Sequence, residues 1–384
     1  MKNFRSIAVI LLAIVAGVYL ILALSDNLHL LKAIRTTYLI GSTGPNLDDY
    51  KRFDYHLLKP GGQPWPKSMD YNNYVLDELI LDSMIQLETK AFLVVKNDSL
   101  IWEKYFDGYD SATVSNSFSV AKTITAIIAG ISIKDGFLES DTDYVTKYLP
   151  ELKGPYARQI RLRHLLQMSS GIDFEESYDN PFGYMAKVYY GKDVRKRTLH
   201  YQSSMPPGRH FFYTGGNTLL ISFIVSNQIK KNISGYFEEK VWSKIAEHEA
   251  YWLIDNRGDE KSYCCFHATA RDFAKIGKLL MDSLKIDNET IVPRGYFQQM
   301  ITPCMTIDSY GDPVDYYGYQ IWLMKYKNQE IFYARGIKGQ YIFVIPKQKT
   351  IIVRLGNKRS SKRIGKIPDD ILLWLNVGFE ITEL

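Results

Sequence analysis

Three cysteines in 384 residues, Cys264, Cys265 and Cys304, are too few to staple a fold. An odd count with two adjacent members offers a poor disulfide framework, and no pair has the spacing of a zinc site. No cysteine follows the N-terminal apolar run, so a lipoprotein-type anchor is not indicated. The chain also lacks a Gly-x-Ser-x-Gly elbow, a His-Glu-x-x-His helix, a phosphate-binding glycine loop and a dinucleotide fingerprint. Seven histidines without close acidic clustering argue against a metal site. Charge of one sign is equally scarce, with 47 basic against 42 acidic residues. The densest basic runs, 192–197 and 358–366, are short and lack interleaved aromatics. They read as solvated surface rather than a nucleic-acid interface.

What is present is ordinary globular material, with 46% hydrophobic and 23% charged residues. That is enough for one large core, or for a sheet domain carrying an insertion. The 28 tyrosines are expected to pack their rings with hydroxyls at the rim. Lys2 and Arg5 precede an uncharged run over residues 6–24, near the minimum that spans a bilayer and longer than a signal-peptide core. The run is apolar on all sides, unlike a surface helix of a soluble domain. Residues 1–25 are therefore expected to be an uncleaved membrane anchor. The alternative is a signal peptide cleaved near Ala23-Leu24-Ser25, leaving a secreted protein. In either case the remainder lies on the extracytoplasmic side, although Lys32 and Arg35 beyond the run weaken the charge rule for orientation.

Residues 26–75 read as a turn-rich lead-in without sustained periodicity. The rest, 76–384, reads as one α+β domain. Its sheet parts fall at about 76–145 and 250–384, around a mostly helical insertion at about 146–249. Strand-like runs at 91–98 and 100–106 flank a hairpin turn at Asn97-Asp98-Ser99. Strand character returns at 317–326, 329–334, 340–346 and 350–355. A helix is expected over 119–134, ending near Gly136, and another over 368–377. The pattern predicts one antiparallel sheet flanked by helices.

Ser119-Val120-Ala121-Lys122 is the only Ser-x-x-Lys in the chain. A chain of this length holds about one or two such tetrapeptides by composition alone, so its setting matters more than its letters. The helix that follows is apolar on nearly every face and should be buried. The spacing of three puts Ser119 and Lys122 one turn apart on one face. Ser119 sits where free backbone N–H groups and the helix dipole favour negative charge, and a buried lysine beside it can serve as its base. The bland alternative makes Ser119 an N-cap and lets Lys122 reach solvent. A second element runs from Pro206 to Asn217, where Tyr213 on a tight loop beside Asn217 can exchange protons and orient a carbonyl. An ordinary capped loop is the alternative there. The third element is 334–340, whose glycines let a substrate backbone approach. A free N–H there, around Ile337 or Gly339, could complete an oxyanion hole with that of Ser119. A bulge or hairpin turn would explain the same glycines.

Taken in order, these elements resemble the serine β-lactamase/penicillin-binding-protein superfamily. The likeness is greatest to its class C-like branch, with esterases, D-aminopeptidases and nylon-oligomer hydrolases. It rests on Phe118–Lys122, Tyr148-Leu149-Pro150-Glu151-Leu152, the stretch 160–171, the loop to Tyr213, the stretch 268–277 and Tyr317-Gly318-Tyr319-Gln320, over roughly residues 75–360. The resemblance implies a β-lactamase/transpeptidase-like fold and an acyl-enzyme mechanism without metal or cofactor. Ser119 would be the nucleophile, Lys122 and Tyr213 the acid/base pair, and Asn217 a substrate-positioning residue. It also implies that Tyr178 lines the cleft, and Tyr-x-x-x-Asn together with Gly-x-x-Gly-Gln is similar to the nylon-oligomer hydrolases, which adds the final Gln340 to the candidate substrate-binding or oxyanion residues. One departure stands out: Ile337 occupies a position where many relatives carry Lys or His, and Lys338 should point to the opposite face.

The expected function is a membrane-anchored, exported serine hydrolase acting on small amides or esters. A β-lactamase or D,D-peptidase is the alternative within the enzyme class. A non-catalytic sensor or ligand-binding module on the same fold is the alternative outside it.

Overall fold

The computed structural model describes residues 2–383. Ten strands frame the site: β1 Tyr55–Leu58, β2 Thr89–Lys96, β3 Ser99–Tyr105, β4 Ser115–Asn116, β5 Ala250–Leu253, β6 Phe266–Ala268, β7 Trp322–Tyr326, β8 Gln329–Gly336, β9 Gln340–Ile345 and β10 Thr350–Gly356. Six of them form an antiparallel sheet in the order β3-β2-β10-β9-β8-β7. The central strand β10 is buried throughout, so both of its faces must be covered. Alternation along β2, β9 and β10 sorts the side chains. Leu93, Ile342 and Ile351 join one apolar cluster, whereas Phe92, Phe343 and Ile352 join a second on the other face. The turn between β2 and β3 places Asn97 and Asp98 at φ 49° and 63°, the left-handed pair that matches hairpin twist.

Helices cover both faces. They include, in chain order, α1 Lys2–Leu24, α2 His29–Thr36, α3 Glu78–Gln86, α4 Val120–Lys134, α5 Leu162–Leu166, α6 Tyr184–Tyr190, α7 Val194–Thr198, α8 Gly215–Ile229, α9 Ala270–Met281 and α10 Asp370–Thr382, with further helical segments of three to five residues between them. Helix α9 packs on β9 and β10, and α10 covers the opposite face of β10 and β2. Helix α4 is buried from Val120 to Ser132 and packs against α8. That contact joins the sheet part to the helical insertion. The apolar stretch of α1 has none of its length buried against the rest of the molecule.

The expected antiparallel sheet flanked by helices is present, with one addition. A second sheet, β1-β5-β6-β4, is built from strands of two to four residues. Strands this short carry too little alternation to be read from sequence. One of them, β1, lies in the stretch read as lead-in and pairs with β5 from Tyr55↔Leu253 to Leu58↔Ala250. Of the run at 317–326, only Trp322–Tyr326 is strand, and Gln320 turns the chain at φ 54°. The last helix lies later than expected, at Asp370–Thr382, because Pro368 pairs in a two-residue hairpin strand.

Candidate active site

The candidate nucleophile stands at the start of α4. Its approach is set by β4, after which Phe118 takes the left-handed region at φ 46°, a costly conformation for a bulky residue. Asn116 holds that turn by accepting a bond from Phe118 N through Oδ1 at 3.0 Å. Ser119 occupies the N-cap position, yet its side chain makes no capping bond. Its Oγ instead accepts from Lys122 Nζ at 3.2 Å. Lys122 is fully buried, and its amine also donates to Tyr263 O at 2.8 Å. No carboxylate among the described residues forms an ion pair with Lys122. The alternative of a serine cap with a solvent-seeking lysine therefore does not describe this helix start.

Tyr213 enters the same pocket from the loop before α8. Its ring centroid lies 5.0 Å from Lys122 Nζ, and that of Tyr263 lies 5.5 Å from it. Tyr213 packs on Trp322 and Tyr317 at 5.3 and 5.9 Å between centroids. The Arg335 guanidinium covers the Trp322 ring at 3.6 Å. These rings pack around the tyrosine and fix its place beside Lys122.

A carboxylate absent from the sequence reading organises the loop opposite. Glu176 accepts from Gly215 N at 2.8 Å through one oxygen and from Tyr178 Oη at 2.7 Å through the other. It thus ties the first turn of α8, where negative charge is favoured, to the expected cleft tyrosine. Tyr178 as a whole is 56% exposed, and its hydroxyl is committed to Glu176. Burial, then the Glu176 charge and the Tyr213 hydroxyl, hold that phenol well above its ordinary range. A cavity of about 170 Å³ runs between this loop and Tyr213, lined among others by Phe174, Glu176, Phe212 and Thr214. A larger hollow of about 590 Å³, around Tyr144 and Pro150, touches none of the candidate site residues.

The third element comes from the β8–β9 connection. Gly336 pairs with Gln340 across it, and a side chain at Gly336 would place its Cβ 2.4 Å from Ser117 O. Only glycine lets this strand end lie against the backbone two residues before Ser119. Between the pair, Ile337–Gly339 forms a single tight turn, with Lys338 at φ 62° and Gly339 at φ 85°. The hairpin turn weighed from the sequence is thus the conformation present. Lys338 does point elsewhere, donating to Asn357 Oδ1 at 3.0 Å, but through the turn rather than through strand alternation. Gln340 is fully buried, and its amide bonds Ile337 O, Gly356 O and Gly356 N. Its side-chain amide thus clasps β9 to β10.

Asn217 is buried in the first turn of α8, where Nδ2 donates to Met168 Sδ at 3.6 Å and Oδ1 has no partner among the described residues. The structure thus brings Ser119, Lys122 and Tyr213 together, with Tyr178 bonded to Glu176 of the cavity wall and Gly336–Gly339 alongside. Tyr263, like Glu176, is a neighbour of the site that the sequence does not point to. Burial raises its phenol well above the usual range, and the hydroxyl has no partner among the described residues. The next two residues, Cys264 and Cys265, are disulfide-bonded to each other, although adjacency and an odd count had argued against a bridge. The turn that allows it puts Cys265 at φ 70°.

A model of the family described as Beta-lactamase matches residues 76–372. Among individual proteins, the 6-aminohexanoate-dimer hydrolase of Paenarthrobacter ureafaciens is 23% identical over 286 residues, covering 70% of this chain and 72% of that one. A Bacillus anthracis structure assigned as a 6-aminohexanoate-dimer hydrolase superposes with a TM-score of 0.74 at 21% identity, over 88% of this chain and 92% of its own. A class C β-lactamase superposes with a TM-score of 0.56 at 16% identity, over 80% of this chain and 94% of its own. The matched region holds every candidate site residue, and the chain belongs to the beta-lactamase family as a serine hydrolase.

Proposed function

We propose that this protein is a membrane-anchored, exported hydrolase that cleaves small amides or esters through an acyl-Ser119 intermediate. The observation that carries the reading is the 3.2 Å bond from Lys122 Nζ to Ser119 Oγ, made where a helix cap would otherwise be. In this reading Ser119 Oγ adds to the substrate carbonyl carbon while its proton passes to Lys122 Nζ. The carbonyl oxygen, now negative, is received by the N–H of Ser119 and by an N–H of the 336–340 turn. The C–N or C–O bond then breaks, and the leaving atom takes a proton delivered through Tyr213. Water attacks the acyl-serine by the reverse route and restores the hydroxyl. Tyr178 and the cavity between its loop and Tyr213 would receive the acyl chain, and Asn217 would steady the site from α8.

Small amides are favoured because the curated relative is a hydrolase of an aminohexanoate dimer. Ile337, standing where relatives carry a cation, argues against efficient recognition of a β-lactam carboxylate. Membrane anchoring is supported by the uncovered apolar helix α1. The test is covalent labelling of the full-length protein by a fluorophosphonate, with the adduct mapped by mass spectrometry. Modification at Ser119 is expected, lost in Ser119→Ala and slowed about 10²–10⁴-fold in Lys122→Ala. An active preparation that labels elsewhere would refute the assignment. Rapid turnover of a chromogenic cephalosporin would move the substrate class to β-lactams.

A further inference from the structure

We infer that α2 and the turn after it form a bilayer-docking surface, so that the catalytic domain lies on the membrane rather than hanging from a free tether. The inference rests on α1 remaining in the membrane, as proposed above. Helix α2 is amphipathic in the reverse sense. Its fully buried residues are His29 and Thr36, whereas Leu28, Leu31 and Ile34 are exposed at a spacing of three. The exposed stripe continues into Tyr38, Leu39 and Ile40, with Tyr38 at 66% and Leu39 at 75% exposure. A helix that buries two polar side chains and exposes a stripe of three apolar ones is matched to an exterior with an apolar layer.

The position of this stripe identifies that exterior. Helix α1 ends at Leu24 and α2 begins at His29. Even fully extended, the five steps between them span only about 18 Å. They are not extended, because Ser25 N and Asn27 N bond back to Ile21 O and Leu22 O and Leu30 N bonds to Asn27 O. The polar headgroup layer is about 5–7 Å deep on each side of the hydrocarbon. A spanning α1 therefore delivers α2 into the interface. The join is also stiff. Asp26 pairs with Arg197 through two bonds of 2.7 and 2.9 Å, which hold its carboxyl down at about 2. His29 Nε2 bonds Pro181 O at 2.8 Å. The exposed Arg35 and Tyr38 supply the charge and the amphipathic ring that suit headgroups. Because Pro181 follows Tyr178 by three residues, the loop that borders the cleft is carried at the bilayer surface.

The test uses the full-length chain in phosphatidylcholine/phosphatidylglycerol vesicles containing spin-labelled lipids. Leu12→Cys, Leu39→Cys and Glu330→Cys, each with Cys304→Ser, carry an environment-sensitive fluorophore. Labels at Leu12 and Leu39 should emit at shorter wavelength and be quenched by lipid several-fold more than the label at the exposed Glu330. Quenching at Leu12 but not Leu39, with Leu39 as open to an aqueous quencher as Glu330, overturns the docking surface alone. Absence of lipid quenching at both overturns the anchor and the docking surface together. Protection of Leu39 that grows with the protein-to-lipid ratio, without lipid quenching, would assign the face to a second copy and also overturn the inference.

Discussion

Arg354 is expected to set the geometry of the 336–340 turn, and its replacement should slow the chemistry more than the loss of stability explains. The side chain is fully buried on β10. Its Nη1 donates to Lys338 O and Gly339 O at 3.0 and 2.8 Å, and its Nη2 and Nε reach Leu87 O and Thr89 Oγ1. The guanidinium lies 4.9 Å from the Trp374 ring centroid. Burial lowers its pKa to about 10, so it stays charged at neutral pH. Gly339, at φ 85°, leaves it room, since a Cβ there would fall 2.0 Å from Nη1. Arg354→Met strands three carbonyls, that of Gly339 buried and those of Lys338 and Leu87 partly buried, at up to about 1–3 kcal/mol each, and relieves part of the desolvation of a buried charge. The net cost should be about 2–5 kcal/mol. Ile352→Ala, on the same sheet face two residues earlier, costs a similar ~2–5 kcal/mol without touching the turn. Urea midpoints match the two variants for stability, and fluorophosphonate labelling then compares them per folded molecule. Arg354→Met should label at least about tenfold more slowly, a difference of ~1.4 kcal/mol in the barrier. Equal rates in the two variants would refute the argument.

Gly336→Ala should impair labelling at Ser119 about tenfold or more at a stability cost of ~1–3 kcal/mol, because its Cβ meets the Ser117 carbonyl at 2.4 Å. An unchanged labelling rate would mean that the strand end and the nucleophile turn are not coupled. His267 gives a pH prediction. It is fully buried on β6, and burial lowers its imidazole to about 4 from an ordinary 6.5. The unfolded chain therefore takes up a proton that the native state refuses. The associated stability is whole above pH 6.5 and is lost as pH falls toward 4, up to ~3 kcal/mol. Urea midpoints between pH 7 and 4.5 should fall less steeply in His267→Gln than in the parent chain, and parallel slopes would exclude His267 as the source.

The elements read well from sequence are those whose evidence is contiguous. Helix α4 announces itself by fifteen residues that are apolar on nearly every face, and β8 to β10 by long β-branched and aromatic runs. Ser119 and Lys122 are three residues apart, so one helical turn is enough to bring them together. The second sheet is different. Its strands hold two to four residues each, and their pairing is specified by register between distant segments. Gln340 shows the same limit at a single side chain. Its place beside two glycines fitted an oxyanion role, whereas its amide is spent on Gly356 and Ile337.

The fixed point opposite Lys122 is a peptide carbonyl, that of Tyr263, 141 residues along the chain. A backbone oxygen leaves no mark in the identity of the residue that carries it. Tyr263 is presented by the segment between β5 and β6, and Ser117 N on the other side bonds Phe266 O of β6 at 2.8 Å. The small sheet that sequence reading did not foresee is therefore what holds the acceptor of Lys122 and the approach to Ser119 in one frame. A motif records the residues that act. The strands that make them act at the same point are recorded only in the fold.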